Sequence, residues 1–147
     1  MNGSSITKAR SEDRDAVVAL WRACGLTRPW NDPDADFDRA LAAVDATVLL
    51  ARRSDAIIGG VMTGYDGHRG WVYYLAVAPD RRRGGLGRAL MAAAEAWLRA
   101  RGAPKIQLMV RGDNAAALGF YEALGLERQD VVTLGRFITG DGSDQGG

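Results

Sequence analysis

The sequence is poor in the residues that build metal centres and disulfide frameworks. Its 147 residues include one cysteine, Cys24, and one histidine, His68. An internal disulfide needs a second cysteine, and a zinc site needs a cluster of Cys and His ligands, so both are excluded. No metal ion is therefore expected, and this cysteine usage is typical of a cytoplasmic protein.

A strong net charge and long apolar runs are lacking as well. The 19 Lys and Arg residues against 18 Asp and Glu leave a formal net charge of +1 at pH 7, so no basic field favours nucleic acid or a membrane as a partner. The N-terminal stretch MNGSSITKAR has no apolar core of signal-peptide length, and no apolar run approaches the ~20 residues of a membrane span. A cytoplasmic location is expected.

The length of the chain suits one domain, which buries about 70% of the surface of its unfolded chain. We expect this domain to span residues 1–138. The last residues, 139–147, read TGDGSDQGG and contain no apolar anchor, so they are predicted to be a disordered tail.

What the sequence does contain is an alternation of strand and helix patterns. β-branched and apolar runs bounded by turn residues predict strands at 5–10, 47–53, 56–65, 70–79 and 105–111, with a last strand or hairpin at 126–138. Apolar residues at helical spacing predict helices at 11–25, 37–44, 85–101 and 113–125. Ser11 is the predicted N-cap of the first helix. Strand, helix and strand around residues 70–111 form a βαβ unit, so the fold class is mixed α/β.

The stretch PDRRRGGLGRAL, residues 79–90, combines positive charge, glycines and a helix start. A helix N-terminus exposes unpaired N–H groups that bind anions, and glycines let a phosphate approach the backbone closely. Arginine side chains can grip phosphate oxygens in bidentate fashion. A diphosphate site and a merely basic surface turn explain these residues about equally well.

Two nucleotide-binding motifs are excluded at this loop. A P-loop ends in GK[ST], whereas here Gly87 is followed by Arg88 and Ala89, so the phosphate lysine and the magnesium hydroxyl are missing. A Rossmann fingerprint needs a third glycine and an acidic residue at the end of the next strand. GGLGRALMA lacks that glycine, and the next strand ends in Arg111.

Two segments together resemble the GNAT N-acetyltransferase superfamily. RRGGLG, residues 82–87, is similar to the R/Q-x-x-G-x-G/A signature of the acetyl-CoA pyrophosphate loop. VRGDNAAALGFYEALGL, residues 110–126, resembles the later motif in which an Asn opens a helix and a Tyr follows seven residues on. The resemblance covers residues 5–138. It is closest to the YpeA-like bacterial proteins, through LWRACGLTRPWNDPDAD, GYDGHRGWVYYLAV and DVVTLGRFI.

The resemblance implies a fold and a co-substrate. The fold would be a central mixed, mostly antiparallel sheet of six to seven strands flanked by about four helices. The activity would be direct transfer of an acetyl group from acetyl-CoA to a primary amine of a small molecule or protein, without a metal. The residues implied in acetyl-CoA binding are Leu75, Ala76, Val77, Arg82, Arg83, Gly84, Gly85, Gly87, Arg88, Asn114 and Tyr121.

By the same resemblance, Tyr121 is the general acid, which protonates the CoA thiolate as it leaves. From the residues alone Tyr121 also fits a buried core tyrosine, and Asn114 also fits an N-cap. A main-chain N–H near Val77 is a candidate to polarise the thioester carbonyl.

The general base and the acceptor site are less defined. Many relatives carry a glutamate on the strand before the loop, but WVYYLAVAP has no acid. The local candidates are Asp66, His68, Tyr73 and Tyr74, or a water relay. For the acceptor, the sequence RPWNDP offers either polar recognition or a packed loop through Arg28, Trp30, Asn31 and Asp32.

Two alternative functions fit the same residues. One is a non-catalytic acyl-CoA-binding or regulatory module, which the missing strand glutamate favours. The other is a protein N-terminal acetyltransferase. Exposed strand edges and Trp71 also permit a homodimer.

Overall fold

The computed structural model describes residues 4–139, which fall into two compact units, 4–108 and 109–139. Apart from Thr139, the predicted tail at 139–147 lies outside the described residues. Within residues 4–139, no helix has the length and apolar character that crossing a membrane requires. The single domain expected over residues 1–138 stays a prediction.

The first unit is built on a mixed sheet of five strands in sequential order. The strands are β1 Ser4–Lys8, β2 Ala46–Arg53, β3 Ala56–Tyr65, β4 Gly70–Val77 and β5 Ile106–Leu108. The first four strands pair antiparallel, and β4 pairs with β5 in parallel. The predicted hairpin between β2 and β3 is confirmed, since Arg53 pairs with Ala56 across the turn.

The helices of this unit are α1 Arg14–Ala23, α2 Pro33–Ala42 and α3 Leu86–Ala100. The predicted N-cap at Ser11 is wrong, because residues Ser11–Asp13 form a 3₁₀ turn before α1. The carboxylate of Asp13 directs this turn: it accepts the Arg10 N–H at 2.8 Å and Arg52 Nη2 at 2.7 Å, which ties the start of α1 to β2.

The sheet is covered on both faces. Helices α1 and α2 pack on one face, where Trp21 and Phe37 are fully buried beside Ala76 of β4. Helix α3 packs on the other face, close to two glycines of the sheet. A Cβ on Gly70 would lie 2.6 Å from Leu98 Cδ1, so any larger residue there would force the Leu98 side chain of α3 to move.

The second unit contains helix α4, Ala115–Ala123, and the chain that follows it. Residues 126–138 carry no strand, so the predicted last strand and the sheet of six to seven strands are wrong for the part of the chain that the structure describes. Val131, Val132 and Leu134 are 75%, 85% and 90% exposed. Their composition favours a strand, but a strand forms only on a partner ladder, and no strand within residues 4–139 pairs with this segment.

Candidate active site

Strand β4 contains a bulge. Gly60 pairs with Ala76 and Met62 with Tyr73, so Val61 alone faces two residues, Tyr74 and Leu75. Tyr74 adopts φ +53°, the left-handed region that normally favours glycine. A non-glycine residue held there costs on the order of 1–3 kcal/mol, which marks this position as one that the surrounding structure maintains.

Beyond the bulge, β4 presents its backbone away from β3. Ala78 N–H donates to Ile58 O at 2.8 Å, so Ala78 and Ile58 form a hydrogen-bonded pair. In an antiparallel ladder the next pair points outwards, and Val77 therefore directs its N–H and C=O away from β3. The pairing of β4 with β5 ends at Val72, so within the first unit the edge of β4 at Val77 has no neighbouring strand.

The carbonyl of Val77 is occupied from two sides. It accepts Arg82 Nε at 3.3 Å and Cys24 Sγ at 3.3 Å. The first bond connects the end of β4 to the arginine and glycine loop, and the second connects it to the end of α1. Cys24 therefore serves as a packed thiol on the backbone of β4.

The loop of residues 82–87 leads into α3 with a backbone suited to an anion. Arg83 and Gly85 have φ values of +70° and +81°, and Gly85 is the N-cap of α3 with no side chain capping the helix. Left-handed residues of this kind turn successive N–H groups into a concave surface that binds anions. The first turn of α3 has no acidic residue, and a Cβ on Gly85 would meet nothing within 4 Å. The dipole of a 15-residue helix therefore points at open space.

The flanking charges suit a phosphate. Arg82, Arg83 and Arg88 are exposed around the N-terminus of α3, and Gly84 is exposed between them, whereas Gly87 is half-buried in its first turn. Guanidinium groups around free helix N–H donors are the arrangement that recognises a diphosphate.

Asp66, one of the candidate bases, is held by three donors in the turn between β3 and β4. Its Oδ1 accepts the N–H groups of His68 at 2.8 Å and Arg69 at 2.7 Å, and its Oδ2 accepts Trp71 Nε1 at 3.0 Å. These hydrogen bonds, led by those from the two backbone N–H groups, lower the pKa of Asp66. A carboxylate so stabilised is a weak proton acceptor.

The two tyrosines of β4 have raised pKa values. Burial, followed by the nearby charge of Asp66, raises the pKa of Tyr73, whose side chain stays partly exposed beside Trp71. Burial, followed by the hydrogen bond to Asp36, raises the pKa of Tyr74 more strongly. Both phenols are protonated at neutral pH. His68 is exposed, with Nδ1 3.5 Å from Arg69 Nη1.

Two residues of the RPWNDP segment form hydrogen bonds at helix ends. Arg28 Nη1 donates to the carbonyls of Gly25 and Thr27, both at 2.9 Å, and thereby closes the end of α1. Asp32 Oδ1 accepts the Ala35 N–H at 3.2 Å and caps α2. Trp30 is half-buried and Asn31 exposed.

In the second unit, Asn114 and Tyr121 lie on α4. Asn114 Oδ1 accepts the Ala117 N–H at 3.0 Å, so the predicted N-cap is confirmed. Tyr121 is half-buried, and its ring meets Phe120 edge-on at 5.0 Å. Burial raises the pKa of Tyr121, which keeps its hydroxyl protonated at neutral pH. A general acid requires that protonation state.

The structure thus places the predicted residues in two sets. Residues 75–77 and 82–88 are joined in the first unit through the Arg82 to Val77 bond. Asn114 and Tyr121 belong to the second unit. Sequence reasoning missed Asp36 and Trp21, which contact Tyr74. The sequence carries no signal for them, since Asp36 is one of four aspartates in NDPDADFD and Trp21 fits a helical core stripe.

Comparison with known proteins decides the family. The sequence profile of the acetyltransferase (GNAT) family matches residues 14–126, which is most of the chain. The chain belongs to the GNAT acetyltransferase family. This GNAT acetyltransferase is 49% identical over 132 residues to an acetyltransferase of Pectobacterium atrosepticum, covering 90% of this chain and 94% of the relative. It is 48% identical to an acetyltransferase of Yersinia enterocolitica, with the same coverage.

Solved GNAT structures share the fold. An aminoglycoside N-acetyltransferase in complex with a CoA bisubstrate analogue superposes with a TM-score of 0.78 at 19% identity, covering 92% of this chain and 99% of that one. A ribosomal-protein alanine N-acetyltransferase of Escherichia coli gives 0.72 at 26% identity, covering 83% of this chain and 76% of that one. The predicted mixed α/β GNAT fold is confirmed. The narrower YpeA-like grouping stays a prediction.

These matches establish the reaction class. The protein is an acetyl-CoA-dependent N-acetyltransferase, and its acceptor is an amine. Among residues 4–139, no group of three His, Cys, Asp or Glu side chains is placed to hold a metal ion.

Proposed function

We propose that acetyl-CoA binds along the outer edge of β4 and into the N-terminus of α3. The main chain of Leu75, Ala76 and Val77 contacts the pantetheine arm, and the N–H groups of residues 83–88 hold the pyrophosphate. The observation that carries this proposal is the uncapped, acid-free start of α3, with Gly85 open to space. A ligand held by backbone N–H groups needs this free helix end.

We propose further that Val77 N–H polarises the thioester carbonyl. This donor points away from β3 at the end of the open edge, which leaves it available to a developing oxyanion. The acceptor amine attacks the carbonyl carbon and forms a tetrahedral intermediate. Collapse of the intermediate breaks the C–S bond, Tyr121 delivers its proton to the CoA sulfur, and the proton released by the acylated nitrogen returns to the Tyr121 oxygen through water. Asn114 supports the cofactor at the start of α4.

Water is our proposal for the proton acceptor of the attacking amine. An alkyl ammonium has a pKa of about 10 and must lose a proton before it attacks. The carboxylate of Asp66 accepts three hydrogen bonds, which lower its pKa, while Tyr73 and Tyr74 keep their protons at neutral pH. A water chain to bulk solvent needs none of these groups.

The acceptor is proposed to be a primary amine of a small molecule. Solved relatives of the same fold include aminoglycoside acetyltransferases, and Tyr73 of β4, which is 43% exposed, offers an aromatic face to an organic amine. A protein amino group is the second candidate, favoured by the likeness to a ribosomal-protein alanine N-acetyltransferase. We propose that the enzyme acts in the cytoplasm; a homodimer stays a prediction.

The test is an acceptor screen that follows release of the CoA thiol. Free amines and peptides with free N-termini are offered in parallel, and products are identified by mass spectrometry. We expect N-acetylated products from free amines. Turnover of peptides alone would move the acceptor to proteins, and acetyl-CoA binding without turnover on any amine would favour a non-catalytic module.

A further inference from the structure

The left-handed backbone of Tyr74 decides which way the end of β4 faces. At the turn before β4, Asp66 N–H donates to Arg69 O at 3.2 Å, which sets the alternation of hydrogen-bonded pairs. Hydrogen-bonded pairs recur at every second residue of each strand, so Met62 and Tyr73, four residues further along the two strands, form such a pair. Without an extra residue the same alternation would pair Val77 with Ile58 and turn the Val77 N–H towards β3.

The bulge shifts this alternation by one residue. With Tyr74 and Leu75 together opposite Val61, Ala78 takes the place opposite Ile58, and Val77 faces outwards. The donor proposed for the thioester carbonyl is therefore available only while the bulge is held. Holding it is costly, because tyrosine has no preference for φ +53°.

Two side chains from α1 and α2 hold Tyr74 in place. Its ring lies on the indole of Trp21, with centroids 3.8 Å apart and planes 8° apart. Its hydroxyl donates to Asp36 Oδ2 at 2.8 Å. Trp21 is fully buried and Asp36 is largely buried, with 21% of its side chain exposed. Both ends of the Tyr74 side chain are therefore fixed.

Asp36 differs from its neighbouring aspartates in this role. Asp32 caps α2, while Asp34 and Asp38 lie 3.9 Å and 3.0 Å from the guanidinium of Arg14. Asp36 instead accepts the hydroxyl of Tyr74 of β4, and its Oδ1 accepts Arg39 Nη2 at 2.6 Å on its own helix. The Arg39 side chain is 72% exposed, so that ion pair is a surface interaction that contributes little to stability.

We infer that Asp36 is a positioning residue for acetyl transfer: through its hydrogen bond to Tyr74, it holds the β4 bulge that turns the Val77 N–H towards the thioester. The inference rests on the acetyl-CoA site proposed above. The hydrogen bond between Asp36 and Tyr74 connects α2 to the Val77 N–H at the end of β4. A change at Asp36 therefore acts on catalysis without contact with the reacting atoms.

The experiment uses four single variants and one double variant of the full chain. Tyr74→Phe removes the hydroxyl and keeps the stacking ring, Asp36→Ala removes the acceptor, and Asp36→Asn keeps an acceptor oxygen. Asp38→Ala, which removes an ion pair between α2 and Arg14 of α1, is the matched control. Thermal unfolding of each variant is recorded first, and kcat and the Kd of CoA follow.

We expect Tyr74→Phe and Asp36→Ala each to lower kcat by about tenfold to a hundredfold, the effect of misplacing a reacting group by about 1 Å. The double variant Asp36→Ala/Tyr74→Phe is expected to lose no more kcat than either single variant, since each substitution removes the same hydrogen bond. Asp36→Asn and Asp38→Ala are expected to retain kcat within about threefold, and all variants to bind CoA as the parent does. If Asp36→Ala fails to fold, Tyr74→Phe still tests the inference, because it removes the same hydrogen bond and keeps the stacking ring.

A backbone measurement separates this inference from the acetyl-CoA site itself. In the parent protein, addition of acetyl-CoA is expected to shift the NMR amide signal of Val77, and in Tyr74→Phe that shift is expected to be lost. No shift in the parent would contradict the proposed site. A shift that persists in Tyr74→Phe, additive losses in the double variant, or a loss in Asp36→Asn as large as in Asp36→Ala would overturn the positioning role.

Discussion

At the scale of single residues, the chemistry depends on groups whose environment fixes their protonation. Burial raises the pKa of Tyr121 above that of an ordinary tyrosine, whereas three hydrogen-bond donors lower the pKa of the Asp66 carboxylate. Tyr73 and Tyr74 are likewise held neutral. A strand without a glutamate therefore still serves acetyl transfer, provided that water takes the proton of the amine.

Tyr121→Phe is expected to lower kcat by ~10-fold to ~1000-fold with little change in the Kd of acetyl-CoA, because the proposed general acid is lost while the proposed contacts of residues 75–77 and 83–88 with acetyl-CoA remain. In the parent, the raised pKa moves the loss of activity from Tyr121 deprotonation to a pH above the ordinary range of a tyrosine. Steady-state kinetics across pH measure both effects.

Tyr65→Phe, which removes a hydroxyl from β3, is the matched control and is expected to retain full activity. Equal turnover of Tyr121→Phe and the parent at every pH would contradict the general-acid role.

Asp13 provides a prediction for stability. Burial raises its pKa, but the hydrogen bonds from Arg52 and from the Arg10 N–H outweigh this, and the pKa of Asp13 is lowered. A lowered pKa stabilises the fold above the unfolded pKa of about 3.9, and that stability is lost as the pH falls through the folded value.

Asp13→Asn is therefore expected to reduce the free energy of unfolding by about 1–3 kcal/mol at pH 7, since Arg52 loses a charged partner. The difference from the parent should shrink below about pH 4. Urea unfolding at pH 7 and pH 3 measures this, with Asp15→Asn as an exposed control on α1. An equal difference at both pH values would exclude the linkage.

At the scale of elements, the loop before α3 and the first turn of that helix together form the proposed pyrophosphate site. The arginines supply charge, Gly85 supplies the left-handed turn, and the helix supplies free N–H donors. Each contribution comes from neighbouring residues, which is why the loop and the start of α3 could be predicted from the sequence alone, while the role of the loop in binding stays a prediction.

Gly87→Asp is expected to weaken CoA binding at least ~100-fold, because a carboxylate in the first turn of α3 repels the pyrophosphate, while the same charge suits the helix dipole and leaves the fold intact. Ala96→Asp places an identical charge on an exposed position of α3 about 13 Å further along the axis, beyond the screening length. Calorimetric titration with CoA compares the two variants, and similar affinities in both would remove the loop from the site.

Elements differ in how far the sequence determines them. The β2–β3 hairpin and α3 follow from local turn residues and apolar spacing, and both were predicted. The β4 bulge depends on the register between two strands and on the contacts of Tyr74 with Trp21 and Asp36, which no local pattern encodes. Residues 126–138 show the converse: β-branched residues favour a strand, but no neighbouring ladder pairs with them in the described chain.

At the scale of the whole molecule, the fold and the reaction are common to the family, whereas the acceptor is particular to this protein. The GNAT fold and the acetyl-transfer reaction are shown by the family match, while the acceptor depends on surfaces that family membership does not determine. In our proposal, the helix start at residues 83–88 binds acetyl-CoA and the acceptor amine binds beside β4.

The most direct test is a single assay of CoA release and N-acetylated product, run on the parent and on Gly87→Asp with a panel of primary amines. We predict that the parent acetylates at least one free amine and that Gly87→Asp loses this activity. Transfer by Gly87→Asp at the rate of the parent, or CoA release by the parent with no acetylated amine in the panel, would contradict it.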